Sequence, residues 1–240
     1  MYLLIDIGNT RIKWQHRGNE NILDSSSMMV EDFMDIDFSD LQSVKKVFIS
    51  NVNQAVVLDK IKESVTKFNC PIIVAKSETN QILINDYEDS LSLGVDRWLT
   101  ALGAWQKYKK PLLVINAGTA ITIDLIDLDS QGKPHFKGGM ILPGVAISLA
   151  ILNDSTNLID TKIGTTKYPS VNTTDAVTTG IFTSIQGAVN LVCKKLPATL
   201  PILLTGGDAT LIYEQSDNEW KSRIKMEDDL VFEGLSLLNI

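Results

Sequence analysis

The first fourteen residues pass from an apolar run to a regular alternation of polar and apolar positions. Residues 2–5 are all apolar, which predicts a short buried strand. Asp6 follows soon after, and then Gly8, Asn9 and Thr10, which are typical of a tight turn. Residues 11–14 alternate polar and apolar side chains, as a half-buried strand does. The pattern therefore predicts strand, turn and strand, with the Asp6 carboxylate beside the turn.

A second copy of this pattern lies near the middle of the chain. Residues 111–124 read PLLVINAGTAITID, and residues 116–119 align with residues 6–9 without a gap. The offset between the copies, 116 minus 6, is 110 residues, which is close to half of the 240-residue chain. We therefore expect two similar domains, residues 1–107 and 108–240, that face each other with phosphate groups between them.

Along the rest of the chain, segments whose apolar residues have the spacing of a strand alternate with segments that have the spacing of a helix. This alternation predicts an α/β fold in which helices cover sheets. Residues 25–40 are acidic and irregular and are predicted as loop and short helix, and the polar residues 85–92 as loop. The other predicted strands are 47–50, 71–75 and 201–204. The predicted helices are 54–68, one that follows residue 94 and continues to 107, one that begins at 145, 176–192, and a terminal helix within 227–235.

Composition and charge narrow the class of protein. Hydrophobic residues make up 44% of the chain and charged residues 21%, which is typical of a globular protein with a sizeable core. The formal net charge of −7 argues against nucleic-acid binding, which needs basic patches. Cys70 and Cys193 are too few and too far apart for a disulfide framework or a zinc site. No signal-peptide pattern and no apolar run of about 18 residues is found, so we expect a cytoplasmic protein without a membrane partner.

The first turn has the chemistry of a phosphate site. Gly8 lets the backbone approach a ligand closely, and Asn9 and Thr10 add side-chain donors to the backbone N–H groups. Asp6 cannot bind phosphate directly, but it can hold Mg²⁺, which keeps several waters beside one or two carboxylates. The alternative is a simple hairpin turn, because Gly-Asn turns are common. The second copy of the pattern favours the phosphate site.

Residues 94–97 read GVDR and stand at the beginning of a predicted helix. A carboxylate in the first helical turn is favoured by the macrodipole alone, and Asp96 beside Arg97 can be a simple surface pair. Asp96 can equally be a general base that takes a hydroxyl proton during phosphoryl transfer. Arg97 can bind a substrate carboxylate through two hydrogen bonds. The residues alone leave these alternatives open.

Taken in order, the motifs resemble those of the type III pantothenate kinases. They are DIGNTRIK at residues 6–13, GVDR at 94–97, AGTAITID at 117–124, the glycine-rich residues 138–144, and TGG at 205–207. The resemblance covers nearly the whole chain. It implies the fold of actin, hexokinase and Hsp70, an α/β fold of duplicated ribonuclease H-like domains. In the implied fold, mixed sheets are flanked by helices. The active site would lie in the cleft between the two domains.

The same resemblance implies an activity, cofactors and site residues. The activity is ATP-dependent phosphorylation of pantothenate at its 4′-hydroxyl, the first step toward coenzyme A, with ATP and Mg²⁺ as cofactors. Asp96 would be the base and Asp6 the Mg²⁺ ligand. The residues implied around ATP and its phosphates are Asp6, Ile7, Gly8, Asn9, Thr10, Arg11, Ile12, Lys13, Thr119, Gly206 and Gly207. Those implied around pantothenate are Tyr87, nine residues before Asp96, and Gly94, Val95, Asp96, Arg97 and Thr173.

A homodimer is also implied. Residues 172–177 predict the start of a helix with Asn172 or Thr173 as its N-cap, and a capping role is enough to explain them. In the resembled family a threonine just before this helix reaches the pantothenate of the other subunit. Thr173 is the match and Thr174 the alternative. Small residues on one side of the helix permit close packing against a partner helix: Ala176, Gly180, Ser184 and Gly187.

Asn116 departs from the resembled family, which has an aspartate there that helps to bind a monovalent cation. Asn keeps an acceptor oxygen but loses the charge, and a hard-cation site with one carboxylate fewer is weaker. We therefore expect little dependence on K⁺ or NH₄⁺. His135 has no partner motif in the sequence, and we assign it no role.

Two other functions stay open on the sequence. The same fold can serve as an accessory or regulatory protein that binds nucleotide without turning it over. Asn116 favours that alternative, and an intact Asp96 beside Arg97 opposes it, since a pure binding protein needs no base. A kinase of another small polyol or acid also stays open, because a fold does not determine its substrate.

Overall fold

The structure is a computed structural model, and it describes residues 1–18, 21–156, 162–216 and 218–239. The strands are β1 (Tyr2–Ile7), β2 (Arg11–Arg17), β3 (Ile22–Met29), β4 (Lys46–Asn51), β5 (Ile72–Val74), β6 (Ile84–Asn85), β7 (Leu112–Ala117), β8 (Ala120–Leu128), β9 (Pro134–Pro143), β10 (Ile202–Thr205) and β11 (Ile224–Met226). The helices are α1 (Ala55–Val65), α2 (Val95–Tyr108), α3 (Val145–Thr156), α4 (Thr173–Cys193), α5 (Ala209–Glu214), α6 (Asn218–Lys221) and α7 (Leu230–Ser236). Short 3₁₀ helices span Val30–Asp35, Thr66–Phe68, Ser90–Ser92 and Leu237–Asn239.

The first sheet has the strand order β3-β2-β1-β4-β5. The hairpin strands β1 and β2 are antiparallel, as are β2 and β3. On the other side of β1, β4 pairs in parallel, and β5 is parallel to β4. β1 can occupy the centre because its apolar side chains Leu3, Leu4 and Ile5 are almost fully buried, as a central strand covered on both faces requires.

The second sheet repeats this arrangement. Its order is β11-β10-β7-β8-β9-β6. β7 is antiparallel to β8 and parallel to β10, just as β1 is antiparallel to β2 and parallel to β4. The five strands from β9 to β11 therefore follow the same order as the five strands of the first sheet. The duplicated hairpin found in the sequence is thus the centre of a duplicated sheet, and mixed sheets flanked by helices are confirmed.

Each sheet has its own apolar core. In the first, α1 contributes Val57, Ile61 and Val65, which lie one helical turn apart on the buried face. In the second, α4 contributes Phe182, Ile185 and Val189 in the same way. Removal of such aliphatic and aromatic surface from water, at about 25 cal/mol per Å², is the main term that stabilises each core.

Contacts along the backbone divide the chain into two compact units. Unit 1 consists of Met1–Lys109, Leu128–Phe136 and Asp229–Ile240, and unit 2 of Lys110–Asp127 and Lys137–Asp228. α7 therefore belongs to unit 1, where it packs on α2 although the two helices are far apart in sequence. The assignment of duplicated domains to residues 1–107 and 108–240 stays a prediction.

Two segments differ from the expected elements. Residues 25–40, predicted as loop and short helix, begin with most of β3, an edge strand that is exposed along most of its length. No apolar pattern marks β3, because backbone pairing with β2 rather than burial holds it. The segment 85–92, predicted as loop, begins with Asn85 in β6 and contains the short helix Ser90–Ser92.

α4 begins where the sequence predicts. Asn172 is its N-cap, since Asp175 N donates to Asn172 Oδ1 at 2.9 Å. Among the described helices, α4 is long and apolar enough, by length and composition alone, to cross a membrane. Its inner face nevertheless belongs to the core of unit 2, and a core helix passes the same test.

Candidate active site

The first turn is held by hydrogen bonds on both sides. Gly8 N donates to Arg11 O at 3.0 Å and closes the turn between β1 and β2. Asn53, after β4, donates from Nδ2 to Gly8 O at 2.8 Å. The Asn9 and Thr10 side chains are exposed at the tip. The turn is therefore fixed in position while its polar tip faces solvent.

The side chains next to the turn differ in what they can offer a ligand. Ile7 and Ile12 pair with each other across the hairpin and lie in the core, so only their backbone groups are available. Arg11 is exposed, and its guanidinium donates to Ser27 Oγ at 2.7 Å. Lys13 is partly buried and stands opposite Asp6. Two cationic side chains thus lie on β2 next to the turn.

Asp6 lies near the end of β1, between Lys13 in β2 and Ser50 in β4. Its Oδ1 atom is buried and has no hydrogen-bond partner in the described part of the chain. Burial raises the pKa of Asp6 to about 6, the charge of Asp96 also raises it, and the nearby Ser50 hydroxyl and Lys13 act in the opposite direction. Ser50 Oγ lies close but lacks the geometry of a hydrogen bond. Such an enclosed carboxylate is unfavourable unless a cation or a proton compensates its charge.

α2 begins with the GVDR segment. Gly94 is the N-cap, and Asp96 lies in the first turn. The Asp96 carboxylate accepts a hydrogen bond from Arg97 N at 2.8 Å, and Thr100 Oγ1 donates to Asp96 O at 2.7 Å. The positive end of the helix macrodipole favours a carboxylate here. The local structure therefore holds the Asp96 carboxylate at the start of α2.

Arg97 is only 6% exposed. Its Nη1 donates to Tyr87 Oη at 2.7 Å. The guanidinium carbon lies 5.6 Å from the ring centroid of Tyr87 and 5.7 Å from that of Phe136, within the range of cation–π attraction. The structure thus brings together Tyr87 and Arg97, which the resemblance assigned to one substrate site.

In unit 2, glycines allow other segments to approach the turn between β7 and β8 closely. This turn, at Gly118 and Thr119, is called the second turn. Gly206 has a φ of +102°, and a Cβ there would lie 2.2 Å from Ala117 O and 2.6 Å from Asn116 Oδ1. A Cβ at Gly144 would lie 2.1 Å from Gly118 O. No side chain fits at either position without displacement of the backbone. The strand end and turn around Asn116 are therefore contacted closely by two other segments.

Comparison with known proteins identifies the family. The sequence profile described as type III pantothenate kinase matches residues 2–195. The chain belongs to the type III pantothenate kinase family. A type III pantothenate kinase of Methylobacillus flagellatus is 29% identical over 97% of this chain and 95% of its own. Those of Psychrobacter arcticus and Dichelobacter nodosus are each 30% identical over 98% of this chain and 96% of their own.

Membership of the type III pantothenate kinase family confirms the resemblance and the predicted enzyme class, a kinase that uses ATP. Solved structures agree on the fold. The ethanolamine utilization protein EutJ from Carboxydothermus hydrogenoformans has a TM-score of 0.57 at 12% identity, covering 98% of this chain and 88% of its own. MreB5 of Spiroplasma citri bound to ADP has a TM-score of 0.53 at 12% identity, covering 99% and 95%. At these identities the likeness concerns the fold alone.

Val95, the first residue of α2 in unit 1, is buried, and the other predicted residues of this family member that are not yet placed lie in unit 2. Thr119 and Gly207 are exposed, each next to a glycine turn. Asn116 is partly buried and pairs with Thr122 in β8 and Thr205 in β10. Thr173 is exposed in the first turn of α4, beside the cap. Asn116 thus has in β7 the place that Asp6 has in β1.

The residues present fit a Mg²⁺ ion that is shared with phosphates. Among the described residues, no three or more His, Cys, Asp or Glu side chains form a group that could hold a metal ion. Mg²⁺ at phosphoryl-transfer sites usually takes one or two carboxylates, and water and phosphate oxygens complete its shell. The unpartnered Oδ1 of Asp6 and the nearby charge of Asp96 meet that requirement.

Two contributors were not assigned from the sequence: Phe136 packs against Tyr87 and Arg97, and Asn53 holds the first turn. Gly144, which approaches the second turn, belongs to the glycine-rich segment 138–144 that the sequence had already singled out. Ser50 and Asn51, the two residues that end β4, indicated in the sequence that polar groups lie near Asp6. Asn53 follows two residues later. Phe136 carries no such signal, because an isolated aromatic residue reads as core.

Proposed function

We propose that this protein transfers the γ-phosphoryl group of ATP to the 4′-hydroxyl of pantothenate, the first step of coenzyme A biosynthesis. Family membership supports the reaction. The ordered motifs DIGNTRIK, GVDR and TGG support its assignment to particular residues of this chain.

The observation that carries the proposal is the pairing of two functional groups at the start of α2. The Asp96 carboxylate is held there by a backbone N–H, and the adjacent Arg97 is held by the Tyr87 hydroxyl and two aromatic rings. Pantothenate has a carboxylate, which suits a planar guanidinium, and a primary hydroxyl, which suits a base. The start of α2 thus offers one group for each end of such a substrate, a base for the hydroxyl and a cation for the carboxylate.

In the proposed reaction, Asp96 accepts the hydroxyl proton as the hydroxyl oxygen bonds to the γ-phosphorus and the bond to ADP breaks. Arg97 binds the pantothenate carboxylate. The residues that orient pantothenate are Tyr87, Gly94, Val95 and, from the partner subunit of a dimer, Thr173. Positioning and charge stabilisation supply most of the acceleration, because phosphoryl transfer needs little covalent participation by the protein.

The proposed phosphate contacts come from both turns. In unit 1 they are Asp6, Ile7, Gly8, Asn9, Thr10, Arg11, Ile12 and Lys13, with Ile7 and Ile12 acting through their backbone. In unit 2 they are Thr119, Gly206 and Gly207. Asp6 would hold Mg²⁺, whose charge offsets the charge of the phosphates.

We also propose a homodimer through α4. Its small residues Ala176, Gly180, Ser184 and Gly187 are all exposed, so a second helix can approach closely. A second copy would cover this small-residue side of α4. A cytoplasmic location is supported by the two cysteines, Cys70 and Cys193, which are free within the described chain. The net charge of −7 opposes a nucleic-acid partner, and we propose no membrane partner.

The test is ADP formation from Mg-ATP with and without pantothenate, together with mass analysis of the phosphorylated product. We expect ADP formation that depends on pantothenate. Asp96→Asn keeps the shape of the side chain and removes the base, so kcat should fall by at least about 100-fold while both substrates still bind. The exposed carboxylate of Asp59 on α1 provides the matched control, and Asp59→Asn should leave kcat unchanged. A near-normal kcat for Asp96→Asn would exclude Asp96 as the base.

A further inference from the structure

His135 lies between two carboxylates in unit 1. Its Nδ1 is 2.6 Å from Asp86 Oδ1, and its Nε2 is 3.4 Å from Asp129 Oδ2. The His135 side chain is 14% exposed and that of Asp86 is 30% exposed. Since an ionised carboxylate only accepts hydrogen bonds, Nδ1 carries the proton and donates to Asp86. A short, partly buried bond of this kind is stronger than an exposed surface pair.

His135 is itself held firmly. It lies near the start of β9, after a turn in which the backbone N–H groups of Gln131 and Lys133 each donate to Asp129 Oδ1 at 2.8 Å. His135 also pairs with Ile84 in β6. The backbone that carries the imidazole is therefore fixed, and a neighbouring segment can be attached to the ring.

The attached segment is the substrate loop, residues 85–92. Its first residues are joined to β9 by the pairing of Asn85 with Phe136, by the Asp86 side chain, and by Asp86 N, which donates to Phe136 O at 3.1 Å. The next residue is Tyr87. Its ring packs on Phe136 with centroids 5.9 Å apart, and its hydroxyl accepts from Arg97.

We propose that His135 is a positioning residue for the pantothenate site, because its bond to Asp86 holds Tyr87 in contact with Arg97. His135 acts through Asp86 and touches no reacting atom. The proposal rests on the proposed function in one respect, namely that Tyr87 and Arg97 contact pantothenate. Loss of the His135–Asp86 bond leaves the start of the substrate loop held to β9 by backbone pairing alone, so the Tyr87–Arg97 pair is formed for a smaller fraction of the time.

Two substitutions of similar size separate positioning from folding. Asn at position 135 places an amide nitrogen where Nδ1 lies and can still donate to Asp86. Gln at the same position places its amide near Nε2 and cannot. His135→Gln should raise KM for pantothenate about 10-fold, the scale of one hydrogen bond to a charged group, with kcat and KM for ATP within about twofold of wild type. His135→Asn should stay near wild type in all three constants.

The two carboxylates supply the controls. Asp86→Ala removes the same bond and should raise KM for pantothenate as His135→Gln does. The double variant should be no worse than either single variant, because both remove one interaction. Asp129→Asn keeps the Oδ1 acceptor of the turn and leaves the Asp86 bond intact, so its KM for pantothenate should not change.

The outcomes are distinct. A wild-type protein without pantothenate-dependent ADP formation overturns the proposed function and this inference with it. An active wild type overturns the inference alone if His135→Gln and His135→Asn have the same KM for pantothenate. It does so equally if both variants lose melting temperature and kcat together without a change in KM, since His135 would then only support the fold.

Discussion

Asp6 combines a buried carboxylate oxygen that lacks a hydrogen-bond partner in the described chain with a second negative charge nearby, that of Asp96. Both features raise its pKa, to about 6. The folded protein therefore binds a proton more tightly at Asp6 than the unfolded chain does. It follows that this group weakens the fold as the pH rises from about 4 to 6, and that the loss is complete above that range.

Asp6→Asn should therefore stabilise the protein without nucleotide at pH 7, by up to about 3 kcal/mol, because it removes a buried charge. The gain should become small near pH 4, where Asp6 is protonated in the folded state and partly protonated in the unfolded state. Urea unfolding at pH 4, 5 and 7 measures it. Added Mg-ATP should stabilise the wild type more than the variant. Equal stabilities at every pH would show that the Asp6 charge has no cost in the fold.

Asp37 provides a control of opposite sign. It is exposed, and a hydrogen bond from Lys67 lowers its pKa to about 2. Its contribution to stability is present above pH 4 and is lost as the pH falls toward 2. Asp37→Asn should therefore destabilise the protein slightly at neutral pH, not stabilise it.

Asn116 bears on the binding of a monovalent cation beside Mg²⁺. Its amide oxygen adds a dipole where the family aspartate would add a charge, and backbone carbonyls and water bind K⁺ weakly without an enclosing cage. We expect turnover at saturating Mg-ATP to depend little on K⁺ or NH₄⁺, and Asn116→Asp to increase that dependence. The measurement compares Na⁺ or Tris buffer with K⁺ buffer at constant ionic strength. A wild-type enzyme that is inactive without K⁺ and active with it would show that neighbouring oxygens form the K⁺ site by themselves.

α2 and α7 are in close backbone contact. A Cβ at Gly103 in α2 would lie 2.3 Å from Leu230 O, and one at Gly234 in α7 would lie 2.1 Å from Leu99 O. Only glycine permits this approach, so the two helices touch backbone to backbone. Through this contact α7 is packed on α2, which carries Asp96 and Arg97 in its first turn.

Gly103→Ala should destabilise the protein by about 1–3 kcal/mol, the usual cost of overpacking, although Ala is the better helix former. The displaced backbone should also lower kcat, since α2 carries Asp96. Thermal unfolding and steady-state kinetics measure the two effects. Gln106→Ala, at an exposed position of the same helix, should change stability by less than about 0.5 kcal/mol. Wild-type stability in Gly103→Ala would mean that α7 can move away without cost.

At the scale of the whole molecule, the exposed small residues of α4 and the exposed Thr173 predict a dimer with shared active sites. Asp96→Asn and Thr173→Tyr should each be inactive. After subunit exchange, a mixed dimer has one site with both residues intact, so activity should return to a fraction of the wild-type value. Absence of activity in a sample shown to exchange would place Thr173 outside a shared site. The same mixing with Thr174→Tyr tests the alternative threonine.

Much of the fold could be predicted because its signals are local. The apolar run, turn and alternation of residues 2–14 recur at 112–124, and the structure has hairpins β1–β2 and β7–β8 at these places. Residues 25–29 of β3 could not be predicted as strand, because an exposed edge strand is held by backbone pairing and leaves no clear apolar pattern. The packing of α7 on α2 could not be predicted either, since it depends on two glycines far apart in the chain.

The candidate site was likewise predictable only in part. The sequence by itself determined the residue types and their order, Asp6 before a glycine turn and Asp96 beside Arg97, because those are local motifs with a chemical meaning. Only the tertiary structure decided the surroundings of each group: the burial of Asp6 Oδ1, the two rings that hold Arg97, and the bond from His135 to Asp86. Burial and charge proximity arise between residues that are distant in the chain. The pKa of a carboxylate and the position of a loop therefore depend on the packed fold and not on the residues adjacent in the sequence.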